Sequence, residues 1–183
     1  MTRLALILGL GATLVAPSVW ADQRDPRLDG LFARLKTAPD ETVAVPIAAE
    51  IWRVWGETDD VTGAELMARG TLAMSQGDAA TAAAAFDLLV ARSPEFAEAW
   101  NKRATLRYLQ DDLDGSIADI GRTLALEPRH FGALSGLALI LDRQDRPEAA
   151  LRSLEAALAV YPKMPDGRER LEALAKRAAG DPT

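Results

Sequence analysis

From residue 25 onward the apolar positions of the chain fall at helical spacing, in stripes separated by short polar turns. Asp25 and Pro26 signal a helix start, Leu28, Leu31, Phe32 and Leu35 form its stripe, and Pro39 ends it. A second helix is predicted from about Ala44 to Trp55, with Ile47, Ile51, Val54 and Trp55 as its apolar face and Gly56 as its stop. Pro46 fits there only in the first turn, because a proline further in removes a backbone donor. Beyond this pair the pattern repeats. Pro94, Pro128 and Pro162 stand 34 residues apart, and other residue types keep their phase. A large apolar residue opens each unit (Leu66, Trp100, Leu134) and a small one follows four positions later (Gly70, Ala104, Ala138). Twelve positions on comes another small residue (Ala82, Ser116, Ala150), and four beyond it a large apolar one (Phe86, Ile120, Leu154). One period thus defines three units, residues 63–96, 97–130 and 131–164, preceded by a helical pair in 22–62.

Local signals punctuate the units. Thr62-Gly63-Ala64-Glu65 has the form of a capping box, and Gly77-Asp78 makes the next turn with Asp78 as cap. Ser93 and Pro94 are expected as cap and first-turn proline, and Asp111-Asp112-Leu113-Asp114-Gly115 as the turn of the second unit. Asp145-Arg146-Pro147-Glu148 is expected to cap the last helix of the third. After Pro162 the period stops, and residues 165–183 hold one more helix with Leu171, Leu174 and Ala178 on a narrow stripe before Gly180. Its charged remaining faces suit a terminal cap, which covers the last unit while showing water a polar back.

Two antiparallel helices of this length cannot bury their apolar faces alone, so such units must stack, with small residues where backbones approach. In period and residue types the chain resembles the tetratricopeptide repeat (TPR) family of 34-residue helix-turn-helix units. The resemblance implies an all-α, right-handed solenoid of helical hairpins. Two slots depart from the family pattern: its Tyr slot holds Ala73, Arg107 and Leu141, and its Leu slot holds Arg69 and Arg103. An arginine there is expected to lay its stem on an apolar wall and send its head to water. Trp100 is expected to be buried between repeats. Residues 22–62 are either a degenerate repeat, with Ala48 and Trp52 in the phase of Ala82 and Phe86, or a capping hairpin.

Composition narrows the chemistry. The chain carries a formal charge of −6 and a pI of about 4.9, with no basic stripe to neutralise a phosphate backbone, so nucleic acid is not expected as a partner. There is no cysteine, which removes disulfides, thiolate metal sites and cysteine catalysis together. Arg3, the apolar run Leu4 to Ala16, Pro17 and Val19-Trp20-Ala21 compose a secretory signal over residues 1–21, with cleavage expected after Ala21. The apolar run, about 13 residues, is short of the roughly 20 needed to span a bilayer. Cleavage would leave 20 basic against 27 acidic residues, or −7, in a periplasmic or secreted protein without stable membrane insertion.

No catalytic, cofactor or metal constellation is expected. His130 is the only histidine, and in the joint between units it is expected to be a hydrogen-bonded structural residue. The Asp111–Asp114 turn is not a calcium loop, since Gln110 and Gly121 stand where ligands would be needed. In the resembled family the first helices of the units line a concave groove that takes a peptide or a partner's helix. Here the groove residues would be Met67, Thr71, Met74, Asn101, Thr105, Tyr108, Ser135, Leu139 and Asp142. A carboxylate clamp of the family's type is not matched, with only Asn101 and Lys102 near its pattern. The leading expectation is a noncatalytic exported adaptor for a protein or peptide partner, one with a basic patch being favoured by the acidic charge. The alternative is a subunit that binds an envelope component such as a peptidoglycan fragment or lipid. The N-terminal helices or the final helix could also fill the groove.

Overall fold

A computed structural model describes residues 23–180; the signal-like segment lies outside them. They form nine helices: α1 (Arg27–Thr37), α2 (Glu41–Trp55), α3 (Val61–Ser75), α4 (Ala79–Arg92), α5 (Ala97–Leu109), α6 (Leu113–Leu126), α7 (Phe131–Arg143), α8 (Pro147–Val160) and α9 (Gly167–Ala178). Helices α3 to α8 pair as three successive hairpins, each packed on the next, and α9 packs on α8.

The phase-locked residues meet across each hairpin. The Phe86 ring lies on the bare backbone of Gly70, where a Cβ would stand 2.5 Å from Cε1, so the residue opposite Phe must be glycine. In the next two hairpins the facing residues are the smaller Ile120 and Leu154, and Ala104 and Ala138 share their clusters. Volume is thus conserved at the crossing, as close packing requires.

The recurring prolines have a different role from the expected one. Ser93 ends α4, and α5 begins only at Ala97, so Pro94 is not a first-turn proline. It occupies the second position of a turn closed by the Phe96 amide on the Ser93 carbonyl at 3.0 Å. The same closure recurs from His130 to Glu127 around Pro128 and from Met164 to Tyr161 around Pro162. Pro147 does start a helix, with Arg146 rather than Asp145 at the cap position, and Pro26 rather than Asp25 stands at the cap position of α1.

Other helix starts also shift. α2 starts at Glu41, three residues before the expected start, with Asp40 capping it by accepting from the Val43 amide, which leaves Pro46 inside the helix. The Thr62–Glu65 box does not form, because Asp60 precedes α3 and Thr62 already lies within it. Asp78 and Asp112 cap α4 and α6 through the Thr81 and Gly115 amides.

The hairpin of α1 and α2 does not stack on α3 as another repeat would. Its own apolar faces, including Leu28, Leu35, Ile51, Val54 and Trp55, share one core with Phe131 at the start of α7 and Tyr161 at the end of α8. It therefore crosses the row of inter-repeat turns and docks at the third hairpin. Arg129, from the turn between the second and third hairpins, donates to Asp29 at 2.8 Å and lies over the Phe32 ring at 4.2 Å. Gln23 fixes the entry to α1 by donating to the Glu95 carbonyl and accepting from the Ala97 amide.

Candidate functional site

Helices α3, α5 and α7 stand side by side, and α9 continues the row, as its arginines show by reaching α7. The expected groove residues do lie along this face, but the flanking helices treat them differently. Arg170 of α9 donates to Ser135 at 3.0 Å, and Arg177 donates to Asp142 and, at 3.1 Å, to Asp145. Those two groove positions are thus engaged within the chain.

At the other end the N-terminal hairpin intrudes. Trp52 lies against Gly132 on α7, where any Cβ would collide with its ring, and the Lys102 ammonium stands 5.7 Å from a Trp52 ring centroid. Trp52, Gly56, Met67, Thr71, Glu98 and Lys102 together line a shallow hollow there. Met67 is buried, and so is Asn101, only 7% exposed, which corrects its expected place as a free groove handle.

Asn101 is buried because it serves a charged network. Its amide donates to Glu98 at 2.9 Å, and the same carboxylate faces His130 Nε2 at 3.0 Å and Lys102 Nζ at 3.2 Å. His130 caps α7, its Nδ1 accepting from the Ala133 amide at 3.1 Å, so the proton of the neutral ring sits on Nε2 and points at Glu98. The imidazole is stacked on Trp55 and meets Trp52 edge-on. Burial pushes the Glu98 carboxyl up, but the His130 hydrogen bond and the positive charge of Lys102 outweigh it and hold the group below the ordinary glutamate range. Each member has a structural task at the joint between the hairpin and the repeats.

Of the arginines in the departing slots, Arg69 is exposed as expected, whereas Arg103 and Arg107 behave differently. Arg103 does not send its head to water: it grips buried Asp119 through two hydrogen bonds of 2.8 Å and reaches Asp87 at 2.9 Å. Arg107 adds a 3.0 Å contact to Asp119 and another to the Gly115 carbonyl. Trp100, expected in the interior, is only half-buried; its indole donates to the Pro94 carbonyl while Arg103 and Arg122 flank its ring.

A second opening on the face is a cleft of about 280 Å³ between α5 and α7, floored by Ser116 and Ile120 of α6. Asn101, Thr105, Tyr108 and Leu139 come together there, whereas Thr71 lies in the hollow near Trp52 and Met74 packs on the first hairpin's core. Its walls include Leu109 and Gly136, which the sequence reading missed. The signal for Gly136 was its place four residues after Gly132 in a helix with no turn to make. Among the described residues, no group of three His, Cys, Asp or Glu side chains could hold a metal ion, and no helix is long and apolar enough to cross a membrane.

Fold and face together define an α-helical repeat scaffold with an open cleft on this face between the first helices of neighbouring hairpins. The tetratricopeptide repeat model matches residues 67–125 and 110–165, and the chain belongs to the TPR family. A TPR repeat-containing protein of Rhizobium etli is 35% identical over 192 aligned residues, all of this chain and 94% of the relative. Among solved structures, the TPR2B domain of yeast Sti1 in an Hsp70 complex superposes with a TM-score of 0.59 at 20% identity, covering 67% of this chain and 100% of that one. The first TPR of Spaghetti, bound to the HSP90 peptide SRMEEVD, superposes at 0.63 and 17% identity, covering 67% and 97%. At these identities the likeness establishes the fold. The protein is a TPR repeat protein.

Proposed function

We propose that the protein is a noncatalytic adaptor, exported to the bacterial cell envelope, that holds a peptide or protein segment along the α3–α5–α7 face. The observation that carries this reading is the cleft between α5 and α7, flanked by exposed Leu109 and Leu139 and by half-buried Tyr108, where apolar surface is left open by the chain's own packing. Peptide complexes of proteins with the same fold support that use of the face. Export rests on the residue pattern of positions 1–21. A cut after Ala21 would keep Gln23, the residue that ties the chain's start to α5.

The carboxylates on this face are paired: Glu98 with Lys102 and His130, and Asp142 with Arg177. Acidity elsewhere on the surface therefore acts on a partner mainly through encounter rate. The test is photo-crosslinking from position 139 in envelope extract, compared with a chain that also carries Tyr108→Ala. A stoichiometric protein crosslinked by the first and lost in the second, with unfolding midpoints unchanged, meets the expectation. A crosslink that survives Tyr108→Ala would place the partner elsewhere.

A further inference from the structure

Gly132 and Gly136 lie one helical turn apart on α7, and only one of them is explained by packing. At Gly132 a Cβ would collide with Trp52, so the glycine admits the N-terminal hairpin. At Gly136 a Cβ would meet only Ile120 Cδ1, at an ordinary 3.9 Å. A helix-interior glycine destabilises its helix relative to alanine, and no neighbour of Gly136 requires that loss. What the missing side chain leaves is space, and that space belongs to the cleft between α5 and α7.

The cleft has no charge of its own, since none of its lining residues is ionisable apart from the Tyr108 phenol. Its shorter polar side chains are already spent: Asn101 on Glu98, Thr105 on the Asn101 carbonyl and Ser116 on the Ala104 carbonyl. A charged guest would find no counter-charge on these side chains, so its desolvation would go without an ionic partner. At one rim the Arg143 guanidinium stands 5.8 Å from the Tyr108 ring centroid, and its ion pair with Asp111 is solvent-exposed and therefore weak and exchangeable.

We propose that this cleft is an anchor pocket for one bulky apolar side chain, of leucine to phenylalanine size, on a polypeptide partner that carries an acidic residue beside the anchor. Gly136 keeps the pocket open, Leu139 and Tyr108 grip the side chain, and Arg143 exchanges Asp111 for the partner's carboxylate. The proposal rests on the adaptor reading above and deepens it.

The probe is a phage-displayed library of random dodecapeptides panned on the chain from residue 22 onward, with the winning peptide then titrated as a fluorescent conjugate. Enriched sequences are expected to share a Leu, Ile, Met or Phe next to Asp or Glu. Gly136→Leu, which fills the cleft from within, is expected to weaken the titrated peptide by about tenfold or more. Gly121→Leu, on an exposed face of α6 with nothing nearby, serves as the control and should leave binding unchanged. Unfolding curves of both variants establish that they fold, and Gly136→Met replaces Gly136→Leu if the latter does not. Equal affinity in the Gly136 variant, or winners without an apolar anchor, would overturn the anchor pocket. If those same winners still lose affinity on Tyr108→Ala, the adaptor reading stands without the pocket; if no peptide is enriched, both fail.

Discussion

The His130 imidazole lies flat on the Trp55 indole, with centroids 4.0 Å apart and planes within 8° of parallel. Through this stack a residue that caps the third repeat becomes part of the face that receives the N-terminal hairpin. Trp55 is 1% exposed and touches Phe32, Trp52 and Phe131 as well. Trp55→Ala is therefore expected to cost about 3–5 kcal/mol in urea unfolding, through lost transfer energy and the cavity left behind. A loss below about 1 kcal/mol would mean that the hairpin is not docked in solution.

Half-buried Trp100 gives the contrasting case. Its truncation removes one hydrogen bond to Pro94 and two guanidinium contacts, but opens no closed cavity. The expected cost of Trp100→Ala is about 1–2 kcal/mol, well under that of Trp55→Ala in the same assay. Equal costs would place Trp100 in the interior after all.

The pair of glycines on α7 predicts opposite signs from the same substitution. Gly136→Ala is expected to stabilise by up to about 1 kcal/mol through helix propensity, because the new methyl meets no clash. Gly132→Ala is expected to destabilise despite the same gain, because Trp52 must move. Thermal unfolding of the two variants decides the matter, and a shared sign would refute the assignment of their neighbours.

Stability should also fall in acid. Glu98 and Asp25 both have folded-state values held below the ordinary range, Glu98 by partners that outweigh its burial and Asp25 first by its hydrogen bond with Arg27. A depressed carboxyl contributes stability that is fully present above its unfolded value, near pH 4 to 4.5, and lost as pH drops through its folded value. Urea midpoints should therefore decline below about pH 4.5. Lys102→Met, which removes one charge beside Glu98, brings the folded-state value closer to the unfolded one and should lower stability at neutral pH and shrink the acid-induced loss, with its onset unchanged. An acid-induced loss of unchanged size would mean that Lys102 does not act on that carboxylate.

How much of this was legible in the sequence differs by the kind of interaction. The three hairpins were legible because stacking imposes a period, and a period is visible in one sequence. The helix start at Asp40 was not, because capping depends on which acid the preceding turn aims at an amide, nor was that at Asp60, whose carboxylate is held by Arg92 from the next helix. Asn101 has the position of a groove residue, yet Glu98 beside it and the hairpin over it come from packing that local spacing does not encode. The Asp119 grip on Arg103 and Arg107 had a faint signal: two arginines four apart in slots the family keeps Leu and Tyr, with an acid on the following helix.

That grip can be tested by undoing it in two ways. Asp119→Ala alone leaves Arg103 without its buried partner and should cost about 3 kcal/mol or more. Adding Arg103→Leu and Arg107→Tyr, which restores the family's residue types in both slots, should recover most of that loss, since an apolar replacement of a buried ion cluster is often neutral. Failure of the triple variant to recover would show that the cluster holds α5 on α6 in a way apolar packing cannot.

The docking of α1 and α2 across the inter-repeat turns has a consequence for how the molecule assembles and comes apart. An array of repeats ordinarily depends on neighbours alone and frays from its ends. Here Asp29 and Arg129 meet across 100 residues of sequence, and Tyr161 completes the same core, so the last hairpin supplies the seat of the first. A growing chain exposes the apolar face of its N-terminal hairpin until the third repeat has been made. Contacts of this span raise the contact order above that of a simple stack and should make docking of the hairpin the slow step. Once docked, the two ends guard one another: the terminal repeat cannot melt without undressing the hairpin, and a linear array behaves as a closed cooperative unit.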